Sequence, residues 1–293
     1  MKRISILIPT YNTDCTALVN VLRKQADALM TDYELIVADD ASPDKQAVKP
    51  NATINALPHC RLMTLSANKG RAAIRNFLAQ EAQYDWLLFI DSDMVVCRED
   101  FLRRYAESTG ASVYDGGVII AGCIKGNLRY MYERAAEQQH TAEKRQLTPY
   151  QHFHTANFMA SKEVMQRYPF DERFRHYGYE DVLFGKRLKE AGIPVCHIDN
   201  PLSFEVFEDN GHFVAKAEEG LRTLHQFSEE LQGYSGLLDI VRKLGPLAPL
   251  IRLWHRVNAA WERRLLTGRH PNLTIFSLYR LGYYLSLKNE NKS

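Results

Sequence analysis

The stretch Trp86-Leu87-Leu88-Phe89-Ile90-Asp91-Ser92-Asp93 sets an unbroken apolar run directly against two carboxylates spaced i and i+2. A short apolar run without alternation, bounded by turn formers, fits a strand buried on both faces. Similar runs occur upstream at Ile4–Ile8, Glu34–Ala38 and Arg61–Leu65, and downstream at Val118–Ala121. Between the first four lie segments with helical spacing: Leu18, Val21, Leu22 and Ala28-Leu29 in one, Ala72, Ile74, Phe77 and Leu78 in another. This alternation predicts an α/β fold, a mostly parallel central sheet flanked by helices. Ligands of such sheets bind beyond the carboxyl ends of the strands. There the chain carries Pro9-Thr10-Tyr11-Asn12, Asp39-Asp40, Ser66–Gly70 and Asp91-Ser92-Asp93, which predicts one site built from loops on one rim.

Each loop offers specific chemistry beside a blander reading. Asp91 and Asp93 suit a hard divalent cation, Mg²⁺ or Mn²⁺, that keeps positions open for phosphate oxygens; alternatively they decorate a turn. Asp39, at a strand end, can accept from a nucleoside, while Ser42-Pro43 reads as a helix N-cap followed by its first residue. Gly70 allows close backbone approach, and Arg71 and Arg75 at a helix start suit a diphosphate or are simply solvated. Glu180-Asp181 opens a helix, where acids complement the helix dipole, or where one acts as a general base. Asn157 lies between apolar neighbours and is a candidate hydrogen-bonding group near the same site. The chain has neither GxGxxG nor GxxxxGK[ST], so dinucleotide and P-loop readings lose their main support.

Taken together, Ile6–Asn12, Asp39–Asp44, Asn68-Lys69-Gly70, Asp91-Ser92-Asp93 and Gly178-Tyr179-Glu180-Asp181 resemble glycosyltransferase family 2 with the GT-A nucleotide-diphospho-sugar transferase fold, over roughly residues 3–200. The resemblance implies an inverting transferase in polysaccharide or glycoconjugate synthesis. It would take a nucleotide-sugar donor, UDP-linked by family frequency, and a saccharide or lipid-linked saccharide acceptor. On this reading Pro9, Thr10, Tyr11 and Asp39 hold the nucleoside, with Asn68, Gly70, Arg71, Arg75 and Ser92 lining the donor side. Asp91 and Asp93 form the metal pair, Asp93 closest to the cation. Asp181 deprotonates the acceptor hydroxyl, Glu180 orients it or the acceptor, and Asn157 stands on the acceptor side. Many relatives carry a metal-ligating His in a stretch like Asn-Pro-x-x-His. Here Asn200-Pro201-Leu202-Ser203 leads to Phe204, which cannot ligate. That departure is the one support for an alternative, a non-catalytic homologue that binds nucleotide sugar or glycan.

The 293 residues read as a catalytic part over 1–215 (1–125 for the donor, 126–215 for the acceptor) and a helical, basic extension over 216–293. Helices are expected at Tyr130–Arg145, from Lys162, at Glu180–Ala191 and at Ala217–Leu231, with a short strand at Asn157–Ala160. A formal net charge of +2 is too small to imply nucleic-acid binding. Five scattered cysteines without a CxxC pair fit free thiols in a reducing, cytoplasmic setting. No signal peptide or membrane-spanning run is read. Between Leu237 and Lys288 nine Lys/Arg stand against two acids among Trp and Leu. That composition suits peripheral association with an anionic membrane, at the cytoplasmic face of the inner membrane, or an apolar face packed on the catalytic part.

Overall fold

Ile4–Thr10 forms the first strand, β1, an interior strand of the main sheet, with Ile4, Ile6, Leu7 and Ile8 all buried. The structure is a computed structural model that describes residues 1–137 and 140–287. After β1 come α1 (Thr16–Ala28), β2 (Tyr33–Asp39), α2 (Lys45–Val48), β3 (Cys60–Thr64), α3 (Arg71–Glu81) and β4 (Trp86–Ile90). Next are β5 (Met94–Val95), α4 (Phe101–Glu107), β6 (Val113–Asp115), β7 (Val118–Ile120), α5 (Leu128–Glu137) and α6 (Ala142–Leu147). The chain continues through β8 (Asn157–Ser161), α7 (Lys162–Arg167), α8 (Glu180–Glu190), β9 (Val195–His197) and β10 (Leu202–Phe204). It closes with α9 (Asn210–Gln226), α10 (Gly236–Leu244), α11 (Ala248–Thr267) and α12 (Leu273–Ser286).

Among the described residues the main sheet has seven strands in the order β3-β2-β1-β4-β8-β6-β9. Every neighbouring pair is parallel except those made by β8, which runs antiparallel to both β4 and β6. The order leaves β1 outward to β2 and β3, then returns to β4 on the other side. The connection thus reverses direction between β1 and β4, and the carboxyl ends of strands at such a switch point are where these sheets receive ligands. Because β8 is reversed, its first residue, Asn157, pairs with Ile90 and stands at that same rim.

Several expectations need correction. Val118–Ala121 is not a fifth strand of the main sheet: β7 lies in a separate three-stranded sheet, β5-β10-β7, and β8, β6 and β9 extend the main one. Apolar content marked these residues as strand but could not choose the partner. Tyr130–Arg145 is not one helix. It divides into α5 and α6, the latter capped by Thr141, whose side chain accepts from the Lys144 N–H; Gln138 and Gln139 lie outside the described residues. The helix expected at Ala217–Leu231 is α9, starting at Asn210, because Asp209 accepts from the His212 N–H. Finally, Asp44 rather than Ser42 caps α2, accepting from the Gln46 and Ala47 N–H groups.

Packing divides the chain into two units. The first comprises Met1–Ala121, Gln139–Arg175 and Glu180–Glu205; the second comprises Gly122–Gln138, His176–Tyr179 and Val206–Ser293. The core of the first brings Leu7, Ala38, Ala72, Leu78, Phe89 and Leu188 together around Phe158. Phe158 stacks on Phe89 at 4.7 Å and meets Phe153 edge-on at 5.0 Å. The second unit packs Leu128, Val214, Leu266, Phe276 and Tyr279 into a core of its own. Among the described residues no helix is long and apolar enough to cross a membrane, and all five cysteines are free thiols.

Phe158 joins β4, β8 and α8 through ring contacts that smaller side chains cannot replace. Phe158→Ala should cost about 3–5 kcal/mol. Urea denaturation should show a lower midpoint at an unchanged slope; an unshifted midpoint would mean the aromatic cluster is not holding the sheet.

Candidate active site

Asp91 follows β4 and begins a tight turn in which the Met94 N–H donates to the Asp91 carbonyl at 3.1 Å. The turn leaves Asp93 exposed and Ser92 half-buried at the rim. Asp91 itself is fixed from two sides. Arg75 donates to its Oδ1, Arg71 Nη2 donates to its Oδ2 at 3.3 Å, and its backbone N–H donates to the Ala156 carbonyl at 3.1 Å. Arg71 Nε also donates to Glu180 Oε1 at 2.8 Å, and Arg75 Nη1 stands 3.9 Å from the same oxygen. Two arginines on successive turns of α3 thus tie the end of β4 to the start of α8.

Arg75 is 1% exposed and Glu180 4%, so this is a buried charge network. Arg75 is therefore not solvated and points into the framework, while Arg71, whose side chain is 38% exposed, reaches the same carboxylates from the surface. Burial alone would push the Asp91 carboxyl up, but the adjacent Arg75 and Arg71 charges outweigh it and hold Asp91 below the usual carboxylate range. Asp181, the next residue after Glu180, goes the other way. Burial first, then the neighbouring Glu180 charge, push it up to about 6. Two carboxylates in one site are thereby driven apart, an arrangement suited to different duties.

The loops after β1 and β2 are knotted together. Asp39 is buried and its Oδ1 accepts from the Ser42 N–H at 3.0 Å and from the Ser42 hydroxyl; that hydroxyl in turn accepts from the Asn12 N–H at 2.8 Å. Thr10 is buried, donating to the Thr13 carbonyl at 3.2 Å, with Pro9 half-buried before it. Tyr11 is 49% exposed, a ring presented at the rim. Asn68 donates to the Asp40 carbonyl at 3.0 Å. Gly70 is needed for the backbone: its φ is +84°, and a Cβ there would stand 2.9 Å from the Arg175 carbonyl oxygen. The close approach is to the protein's own chain.

The sequence reading named Asp40 on the rim but gave it no role. Its two carboxylate oxygens accept from the Lys69 N–H at 2.7 Å and the Gly70 N–H at 3.0 Å, holding the turn before α3. It also overlooked the framework around Asn157, which is buried. The Asn157 Oδ1 accepts from Tyr105 at 2.8 Å, and its Nδ2 donates to the Gly117 and Asn200 carbonyls at 2.7 and 2.9 Å. Its amide is committed to the framework, not offered to an acceptor. Beneath lies a second buried network: Asp115 Oδ1 accepts from Arg145 at 2.6 Å, and its Oδ2 accepts from the His154 N–H at 2.8 Å. His197, near Asn200-Pro201, accepts at Nδ1 from Arg145 and donates from Nε2 to the Pro149 carbonyl at 2.8 Å. Both its nitrogens are used within the protein.

Mg²⁺ sites commonly combine one or two carboxylates with substrate phosphate oxygens and water. Asp93, exposed at the rim, fits that donor role. Asp91 fits less directly, since both its oxygens receive guanidinium hydrogen bonds. Among the described residues no group of three His, Cys, Asp or Glu side chains could hold a metal by itself. Phe204 is buried on β10, paired with Met94, the residue following Asp93.

The Glycosyl transferase family 2 model matches residues 5–169, more than half of the chain. Among curated proteins, one from Haemophilus influenzae named as a glycosyltransferase is 33% identical over 104 residues, covering 36% of this chain and 41% of its own. The poly(ribitol-phosphate) beta-N-acetylglucosaminyltransferase TarS of Staphylococcus aureus is 35% identical over 103 residues, 34% of this chain and 18% of TarS. The matches thus span well under half of those relatives. Among solved structures, TarS 1–349 in complex with UDP-GlcNAc aligns with a TM-score of 0.50 at 16% identity, over 97% of this chain and 90% of that one. The mannosyltransferase PcManGT of Pyrobaculum calidifontis, in complex with GDP-Man and Mn²⁺, gives 0.50 at 14% identity, over 97% and 85%. At such identities the likeness is one of fold.

Because the Asp181 pKa is raised, the folded state holds its proton more tightly than the unfolded chain does. Stability present below about pH 4 is lost as pH rises through about 6. Asp181→Asn removes that dependence and should be the more stable form at pH 7.5 by ~1–3 kcal/mol, the difference vanishing near pH 4. Melting temperatures at the two pH values check it; equal gaps at both would contradict the raised pKa.

Proposed function

The chain belongs to glycosyl transferase family 2, and on that premise we propose that it transfers a sugar, with inversion, from a nucleotide-diphosphate sugar to an acceptor hydroxyl. The donor is UDP-linked and the acceptor a saccharide or lipid-linked saccharide, in polysaccharide or glycoconjugate synthesis. The observation that carries the reading is the Asp91–Arg71–Glu180 bridge, which ties the Asp93-bearing turn to the residue next to Asp181.

Asp181 accepts the acceptor's proton as its oxygen attacks the anomeric carbon opposite the departing diphosphate. The bond from that carbon to the diphosphate oxygen breaks, its electron pair leaving with the diphosphate. A carboxylate with a pKa of about 6 is ionised at neutral pH yet a stronger base than an ordinary one. Glu180 and the two arginines hold α8 in position. Asp93, with Asp91 behind it, would hold Mn²⁺ or Mg²⁺ beside the diphosphate. When bound, the cation supplies charge neutralisation on the leaving group. Tyr11 offers its ring to the base, and Asp39, with Ser42 fixing one oxygen, is the nucleoside contact from β2. A cytoplasmic setting is part of the same proposal.

The test is nucleoside diphosphate release from a panel of sugar nucleotides with Mn²⁺ or Mg²⁺. Asp181→Asn should lower kcat by about 10²–10⁴-fold while leaving donor affinity nearly unchanged. Asp93→Ala should weaken both donor binding and the response to Mn²⁺. The wild-type kcat/KM should fall as pH drops through about 6, where Asp181 takes up a proton. Donor binding in calorimetry without turnover for any acceptor would instead favour a non-catalytic binding protein.

A further inference from the structure

Helix α11 of the second unit carries two faces of unlike character. His255, Glu262 and Leu266 are buried on one, where His255 Nδ1 and Glu262 Oε2 are 2.7 Å apart. On the other, Leu250, Leu253, Trp254, Val257, Trp261 and Leu265 are each 38–75% exposed. Their spacing of three and four residues makes one stripe more than four turns long. Scattered exposed apolar residues need no explanation, but a continuous helical stripe with two tryptophans does. Trp254 is oriented by its indole N–H, which donates to Glu262 Oε1 at 3.2 Å.

Beside the stripe, Arg252, Arg256 and Arg263 recur at the same helical spacing and line a cavity of about 1180 Å³ with Tyr279 and Tyr283. Arg263 is held by Glu218, but among the described residues neither Arg252 nor Arg256 has an ion-pair partner. The buried acid of this helix, Glu262, is turned inward to His255, leaving the outer surface cationic.

We propose that this face of α11 docks on an anionic lipid surface, with the Leu–Trp–Val stripe entering the headgroup–acyl boundary and Arg252 and Arg256 receiving lipid phosphates. Charge selects this occupant over a second copy of the chain. In an antiparallel pair of copies related by a two-fold axis the arginine rows would share one flank of the contact and repel, whereas a bilayer of anionic lipids complements every one of them. Tryptophan at the border of an apolar stripe, next to basic side chains, is suited to a membrane interface. The length of the stripe, exposed among the described residues, also matches a helix lying in the plane, since α11 is neither apolar all round nor long and apolar enough to span. Lys288, the end of the basic segment read from sequence, lies outside the described residues. The proposal does not depend on the transfer reaction.

The test uses the full chain and vesicles of phosphatidylglycerol with phosphatidylcholine, compared with phosphatidylcholine alone. The chain should co-sediment with the anionic vesicles, and Trp fluorescence should shift to the blue as Trp254 and Trp261 leave water. Arg252→Ala with Arg256→Ala should lower partitioning by about thirty-fold. Leu253→Glu with Val257→Glu should abolish it, with soluble nucleoside diphosphate release unchanged. Absence of binding and of a fluorescence shift at low salt overturns the proposal, using unaltered protein. So does binding that survives both double substitutions, or a solution dimer that Leu253→Glu with Val257→Glu dissolves while vesicles are ignored.

Discussion

Two arginines on α3 must neutralise two carboxylates that the fold has taken out of water, and the site depends on that constraint. Removing one partner of a buried ion pair typically costs 3–5 kcal/mol, because the other is left charged and unpaired. Asp91 and Glu180 come from elements far apart in sequence, and each meets both Arg71 and Arg75. The network therefore acts as a clamp that sets β4, α3 and α8 relative to one another. Its electrostatics then reach the neighbours: Asp91 is held ionised, while burial and the adjacent Glu180 charge push Asp181 toward neutrality, outweighing the opposing pull of Arg71.

Around that clamp, each loop of the rim is fixed by a side chain that turns inward. Ser42 joins Asp39 to Asn12, Asp40 holds the turn before α3, and Asn157 joins β8 to Tyr105, Gly117 and Asn200. Groups that remain at the surface, Tyr11 and Asp93, are thus carried on a preorganised frame. Several polar residues that look functional by type are in fact the frame.

The strands β1 to β4 and the rim they define were legible because continuous apolar runs and the turns after them are local signals. The likeness of Asp91, Asp93, Glu180 and Asp181 to a family motif was likewise readable as a set. What sequence could not supply was partnership. Val118–Ile120 has the composition of a core strand, yet pairs with Leu202–Phe204 in another sheet. Arg75 reads from sequence as a diphosphate ligand or a solvated cation and Asn157 as a hydrogen-bonding group of the site, because the partners that engage them arrive from distant segments. The Asp115–Arg145–His197 network joins three segments with no shared motif, and nothing short of the fold could have revealed it. Even the α2 cap was misassigned locally, since Ser42 had a better partner in Asp39.

The central claim is that the carboxyl ends of β1 and β4 form one donor site. A crystal structure of the chain soaked with UDP and Mn²⁺ measures it directly. The account predicts the diphosphate in the crevice between the Tyr11 and Asp93 loops, with Asp93 and phosphate oxygens sharing the cation. A nucleotide bound elsewhere, with Asp93 remote from it, would contradict the account.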